Sequence, residues 1–262
     1  MKTDLTRRRL LTGLTVGGGS LALAGCDVLG DLGAIDRPLR ETIAGANALT
    51  YRVHRTLFGN RTMAREFPAS MVRQPQRPNG VTNPPDADYR ALADDAFADY
   101  RLDVGGLVER PGSFALDELR AMRARTQITR HDCVEGWSCI ASWTGVPLAS
   151  VLARVKPKPE ARFVLLRCFD TIERGLSGSF RYYETIDMVD AMHPQTILAY
   201  DMNGDALPVA NGAPVRLRVE RQLGYKMAKY VRSIELVASF ADVEGGRGGY
   251  WEDRGYDWYA GI

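Results

Sequence analysis

Cys133 stands in the run Thr129-Arg130-His131-Asp132-Cys133-Val134-Glu135-Gly136-Trp137, and its side chain has the widest chemical range in this sequence. A thiolate is both a nucleophile and a soft-metal ligand. Arg130 and His131 beside it are expected to stabilise the thiolate, and Gly136 allows a tight turn that brings backbone close to a bulky group. A lone cysteine at the end of a strand also serves as a small core residue, so residue type alone leaves both readings open. Zinc fits poorly: Cys133 and Cys139 are six apart, no Cys-x-x-Cys exists, and His54, His131 and His193 lack tetrahedral-site spacing. A cysteine nucleophile would need His131 or His193 as its base, and nothing in the sequence places either ring beside Cys133.

A second constellation runs through Asn211-Gly212-Ala213-Pro214-Val215-Arg216-Leu217 and Gly224-Tyr225-Lys226-Met227-Ala228-Lys229-Tyr230. Arg216 and Lys229 lie on either side of a loop whose glycine lets backbone amides approach a ligand, a common way of holding phosphate. Two solvated charges beside a surface hairpin would look the same. No Gly-x-Gly-x-x-Gly or P-loop accompanies them, which leaves nucleotide binding of those kinds without support. Arg130, Arg174, Arg181 and Arg221 are further anion-binding candidates, each equally explained by a surface ion pair. Residues 249–259 form an aromatic, charged tail that reads as a strap packed on the domain or, alternatively, as a contributor to substrate binding.

The elements that must position these residues begin near Tyr100. Tyr100, Leu102 and Val104 alternate with charged residues, Pro111-Gly112 marks a turn, and residues 114–122 read as a short helix. Pro147 precedes Leu148, Val151, Leu152 and Val155 at i, i+3, i+4, i+7, a helix with one buried face. Residues 162–168, 196–202, 215–220 and 230–237 read as strands, with Asn203-Gly204 a hairpin turn. This is a mixed α+β pattern rather than repeated βαβ units. Residues 26–95 are less patterned: 43–58 look helical, while Pro68, Pro75, Pro78, Pro84 and Pro85 prevent the second half from being one element. It is either a tether or an ordered arm. The 262 residues carry 45% hydrophobic and 25% charged side chains, with 34 Lys+Arg against 32 Asp+Glu. Those values exclude a disordered or multi-span membrane chain, and the net charge of +2 is too small for a nucleic-acid-binding stripe.

In order and spacing, Cys133-Val134-Glu135-Gly136-Trp137, Phe169-Asp170-Thr171-Ile172, Met192-His193-Pro194 and the two C-terminal motifs together resemble the molybdopterin-dependent oxidoreductases of the sulfite oxidase superfamily. The Cys-Val-Glu-Gly-Trp form is similar to the periplasmic methionine-sulfoxide reductase catalytic subunit. The resemblance covers residues 95–240. It implies a sulfite-oxidase-type molybdopterin-binding domain, with mixed β-sheets, a barrel-like core and short helices, over residues 96–262. It also implies a molybdenum–molybdopterin cofactor whose metal is bound by Cys133. Thr171, Asn211, Arg216, Met227, Ala228 and Lys229 match positions that contact the pterin and its phosphate. Asn79 matches an asparagine of the family's N-terminal arm, although the sequence around it departs from the pattern. The implied activity is two-electron oxygen-atom transfer, as in sulfoxide reduction or sulfite-type oxidation. Specificity is expected at the rim formed by residues 169–183. With no Cys-x-x-Cys-His and no iron–sulfur spacing, electrons need a partner, a cytochrome or a membrane haem- or quinone-linked subunit. The competing reading is a cofactor-free exported lipoprotein acting as a binding or assembly module.

Residues 1–25 read as a targeting segment rather than fold. Thr6-Arg7-Arg8-Arg9-Leu10-Leu11 resembles the twin-arginine export motif, and Leu23-Ala24-Gly25-Cys26 looks like a lipobox that leaves Cys26 as a lipidated N-terminus. Cleavage at a plain small-residue site would instead leave Cys26 a free thiol. The Gly-rich stretch 10–25 is short of the ~20 apolar residues that a spanning helix needs. Expected placement is the periplasmic side of the inner membrane. Lys2, Arg7, Arg8 and Arg9 against Asp4 account for the basic excess of the whole chain. Cys139 and Cys168 are left over, as buried thiols or as a disulfide.

Overall fold

A computed structural model describes residues 36–58, 62–175 and 178–262. The export and lipidation motifs, with Cys26, lie outside the described residues. The chain divides into two compact units between Arg52 and Val53. In the first, the described residues form most of helix α1 (Asp36–Phe58), where a helix was expected over 43–58. No described helix is long and apolar enough to cross a membrane.

The second unit is built on two sheets. In one, β1 (Arg101–Gly106), β2 (Gly112–Ala115), β5 (Phe163–Gly175), β6 (Gly178–Asp187) and β10 (Val231–Val237) run in the order β2-β1-β10-β5-β6, and only the β1–β10 pair is parallel. In the other, β3 (Arg125–Cys133), β4 (Trp137–Pro147), β7 (Ile197–Met202) and β8 (Asp205–Ala206) follow one another, and β9 (Arg216–Arg218) pairs with β7. Short helices connect them: α2 (Ala87–Asp94), α3 (Leu116–Ala121), α4 (Leu148–Val155) and α5 (Met188–Ala191).

Local sequence explains much of this. Leu102 and Val104 of β1 are buried between exposed neighbours, the period of a half-buried strand. Leu148, Val151, Leu152 and Val155 of α4 are all buried, as their spacing requires. Asn203 and Gly204 both adopt positive φ, 56° and 93°, the geometry of a tight β7–β8 hairpin turn. At α2, Asp86 accepts a hydrogen bond from Tyr89 N at 3.0 Å and so caps the helix.

Three boundaries differ from expectation. β5 runs to Gly175 because β6 folds back along it as a hairpin, with register shifts near Thr171. The helix expected over 114–122 is shortened to α3, since Phe114 pairs in β2 and Glu118 Oε2 accepts from Ala115 N at 2.7 Å. β9 covers only three residues of the strand expected over 215–220, the three that pair with β7.

The proline-rich segment is ordered as an extended arm. Phe67 N donates to Ile128 O and Arg73 N to Ile140 O, each at 2.9 Å, so the arm runs beside β3 and β4. Cys139 and Cys168 are separate buried thiols on different sheets, β4 and β5.

Candidate functional site

Cys133 is the last residue of β3, paired across the hairpin with Trp137. The loop between them closes through Gly136, whose φ of 81° no L side chain adopts comfortably and whose N–H donates to Cys133 O at 3.0 Å. The thiol is half-buried and opens into a cavity of about 380 Å³. Burial pushes it upward, while the Glu135 N–H and the Arg77 guanidinium pull the other way. Arg77 itself is stacked over the Trp137 ring at 4.7 Å.

The expected helpers of the thiolate behave differently. Arg130 is spent on Asp132, Nε to Oδ1 at 2.8 Å. His131 is buried, and burial together with Arg218, Arg216 and Lys229 drives its pKa well below the usual value, leaving a neutral ring. Arg218 Nη1 lies 3.0 Å from His131 Nδ1 and can only donate, so the ring proton belongs on Nε2, which has no partner among the described residues. His193 faces Thr62 O at 3.1 Å. No hydrogen bond joins either ring to Cys133 among the described residues, which leaves a Cys–His nucleophile without geometry.

The C-terminal motifs fold into one cluster. Arg216 is buried on β9, donating from Nη1 to Asn211 O at 2.8 Å and from Nη2 toward Met227 O at 3.4 Å, with its guanidinium 5.0 Å from the centre of the Trp143 ring. Leu217 N donates to Ala228 O at 2.8 Å, which ties the Met227-Ala228-Lys229 stretch to the same strand. Lys229 Nζ donates to Asn79 O at 2.6 Å, to Ala210 O at 3.1 Å and to Val81 O. The arm thus delivers Asn79 to the site. A Cβ on Gly212 would meet Lys229 Cβ at 2.9 Å and Arg216 Cβ at 3.2 Å, so only glycine fits between the two cations. Gly224 has a different role from the one expected: a Cβ there would stand 2.4 Å from His131 Cε1, so its bareness accommodates the imidazole.

Asn79, Cys133, Met227 and Lys229 line the cavity; Asn211, Arg216 and Ala228 lie directly behind it. Thr171 sits in β5 opposite Arg181, between the lining residues Asp170 and Ile172, and does not itself line the cavity. Arg181 and Arg221 are engaged by Asp86 and by Asp190, and the Arg174 side chain lies outside the described residues. The wall that local spacing did not reveal comprises Tyr182, Tyr225, Trp251 and Tyr256. Trp251 and Tyr256 come from the aromatic tail, so that strap also shapes the cavity.

Electrostatically the site lacks an anion. Neither Arg216 nor Lys229 forms an ion pair with a carboxylate among the described residues, and burial lowers Arg216 to about 9 and Lys229 to about 7. The nearby Asp170 carboxyl is itself pushed up to about 7 by burial, and its Oδ1 is unpartnered. Two desolvated cations, a free Arg216 Nε–H and a free His131 Nε2–H suit a group that brings negative charge and acceptor atoms. Among the described residues no three His, Cys, Asp or Glu side chains form a metal-binding group, and Cys133 is the one cysteine that lines the cavity.

Residues 90–242 match the oxidoreductase molybdopterin binding domain. The chain belongs to this family. Members bind molybdopterin, and this chain is a molybdopterin-binding oxidoreductase with the mixed α+β architecture described above. The chain is similar to a putative protein-methionine-sulfoxide reductase subunit YedZ1 of Azospira oryzae, 36% identical over 260 residues, covering 98% of this chain and 89% of that one. It is also similar to the protein-methionine-sulfoxide reductase catalytic subunit MsrP of Xanthomonas axonopodis pv. citri, 41% identical over 143 residues, 51% of this chain and 44% of that relative. Among solved structures, the sulfane dehydrogenase SoxCD of Paracoccus pantotrophus matches 54% of this chain and 39% of its own, at 27% identity and a TM-score of 0.48. The buried cations and unmet donors fit the family's anionic cofactor.

Proposed function

We propose that this chain is the catalytic component of a two-electron reductase that removes the oxygen atom from methionine-type sulfoxides. The observation that carries the reading is the half-buried Cys133 thiol at the mouth of a cavity backed by two uncompensated cations. When bound, molybdenum–molybdopterin supplies the two-electron redox chemistry. Cys133, deprotonated, binds the metal. Arg216 and Lys229 offset phosphate charge. Asn79, Asn211, Met227 and Ala228 would orient the pterin through backbone and amide groups, while Thr171, which does not line the cavity, would act from β5 beside the lining residues Asp170 and Ile172.

The substrate class follows from the walls. Val134, Ile172, Met227, Trp251 and Tyr256 offer apolar and aromatic surface, suited to a thioether-like chain. Of the anion-binding candidates, Arg130, Arg181 and Arg221 are each held by a carboxylate. The names of the relatives support the same choice. Electrons arrive from a haem- or quinone-linked membrane subunit or a cytochrome. The twin-arginine and lipobox motifs support a reading in which the enzyme works on the periplasmic side of the inner membrane, where anchoring through Cys26 would raise its effective concentration beside such a donor.

Protein produced in a molybdenum-sufficient host should contain molybdenum and pterin, lose molybdenum in Cys133→Ala, and reduce methionine sulfoxide with reduced viologen as donor. Metal-free wild-type protein, or metal-loaded protein inert toward sulfoxides, overturns the reading. Cys26→Ala should release the protein from washed membranes with activity intact.

A further inference from the structure

The cluster Glu184–Lys226–Glu252 has no part in the chemistry described so far. Glu184 lies on β6, and Lys226 and Glu252 lie in the short turns Gly224–Lys226 and Glu252–Arg254. All three are fully buried, and Lys226 Nζ donates to Glu184 Oε1 at 2.5 Å and to Glu252 Oε1 at 2.6 Å. With both carboxylates ionised the group would carry net negative charge out of reach of water, a costly state that one bound proton removes.

A neighbouring contact locates that proton. The Tyr182 hydroxyl has a single hydrogen and two oxygens within reach: the Tyr225 carbonyl, by a short contact, and Glu184 Oε2 at 3.3 Å. Its hydrogen goes to the carbonyl, so the contact with Glu184 becomes a hydrogen bond only when Glu184 carries a proton and donates it to the phenol oxygen. Glu252 Oε2 has no partner among the described residues, and a proton there would be a buried unpaired donor. Burial, the facing Glu252 charge and hydrogen bonding with the Glu252 carboxylate push the Glu184 carboxyl well above the usual carboxylate range against the pull of Lys226. The other titratable groups facing it, Tyr182, Tyr225 and Cys168, are pushed up by burial and are neutral at pH 7. Tyr182 and Tyr225 line the same cavity as Cys133.

We propose that the cluster stores one proton on Glu184 and passes it through the Tyr182 hydroxyl into the cavity, as one of the two protons consumed when a sulfoxide is reduced. The chemistry rests on the sulfoxide reading above. Cleaving S=O to a thioether and water takes two electrons, from the external reductant, and two protons. In the relay the Tyr182 hydroxyl turns from the Tyr225 carbonyl to the departing oxygen, and its O–H bond breaks toward that oxygen as the Glu184 O–H bond breaks toward Tyr182, leaving Glu184 a carboxylate held by Lys226. Cavity water supplies the second proton, and uptake of one proton from water through Tyr182 restores Glu184.

Three measurements on cofactor-loaded protein test this. The infrared spectrum at neutral pH should show a protonated carboxylic acid band that shifts in D2O and is absent from Glu184→Gln. Because Gln imitates a neutral Glu, Glu184→Gln should melt within about 2 °C of wild type, whereas Glu252→Gln, in which Glu184 must give up its proton and its hydrogen bond to Tyr182 to pair with Lys226, should melt lower. With reduced viologen and methionine sulfoxide, Glu184→Gln and Tyr182→Phe should lower kcat about 100-fold with KM little changed, and the alkaline fall of wild-type kcat should vanish in Glu184→Gln. An absent carboxylic acid band, or the reverse order of melting, overturns the stored proton. The expected band and melting with wild-type kcat in Glu184→Gln overturn the relay. The expected band and melting in a wild-type protein inert toward sulfoxides overturn the sulfoxide reading and leave the stored proton standing.

Discussion

Lys229 offers a sharp test of the claim that this site is built for an anion. Burial and Arg216 lower the Lys229 ammonium from 10.5 to about 7 in the folded, cofactor-free protein. The unfolded chain therefore holds more protons than the folded one between pH 7 and 10.5. In that window stability rises with pH, by up to about 1.4 kcal/mol per pH unit. Below about pH 7 the full burial penalty is present in the fold; above it the penalty is relieved as the amine loses its proton. Lys229→Met removes this dependence. It also removes the hydrogen bonds to Asn79 O, Val81 O and Ala210 O, a loss that shifts stability by an amount largely independent of pH. The informative quantity is consequently the slope. Urea unfolding of cofactor-free wild type and Lys229→Met at pH 7, 8 and 9 should give a stability difference that changes by about 2–3 kcal/mol across the series, with wild type gaining. Cofactor phosphate should hold the ammonium charged, so loaded wild type should show little of this slope. Parallel curves in the cofactor-free proteins would refute the assigned electrostatics.

Asp170 titrates in the opposite sense. Burial raises its carboxyl from 3.8 to about 7, so its contribution to stability falls as pH rises from about 4 to 7, and Asp170→Asn should flatten the acid side of the same urea series. Gly224→Ala places a methyl group 2.4 Å from His131 Cε1 and should cost about 1–3 kcal/mol in urea unfolding, with reduced cofactor retention on gel filtration. Leu152→Ala removes a fully buried side chain of α4 and should cost about 2–5 kcal/mol while leaving molybdenum content per folded molecule unchanged.

Legibility in the sequence followed the range of the interaction. The buried face of α4, the alternation in β1 and the Asn203-Gly204 hairpin are written in spacings of a few residues, and each formed where its pattern pointed. Element ends were less readable where a distant partner sets them: β5 extends to Gly175 because β6 pairs with it, and β9 is only as long as its contact with β7. The arm could be read as tether or ordered strap, because its hydrogen bonds go to Ile128 and Ile140, which local composition does not encode.

The sequence by itself determined the inventory: a thiol at Cys133, cations at Arg216 and Lys229, and an ordered set of motifs sufficient to indicate the molybdopterin family. Tertiary structure decided what those groups experience. Arg130, adjacent in sequence, turns to Asp132, while Arg77, on the arm, acts on the Cys133 thiol. His131 becomes a neutral ring held by Arg218, and Lys229 closes on carbonyls of Asn79 and Val81 contributed by the arm. Glu184, Lys226 and Glu252 are three ordinary surface-type residues until β6 and two turns bury them together. The physical reason is that residue type and short spacing are properties of the chain, whereas desolvation and charge proximity arise only when distant segments exclude water from one another.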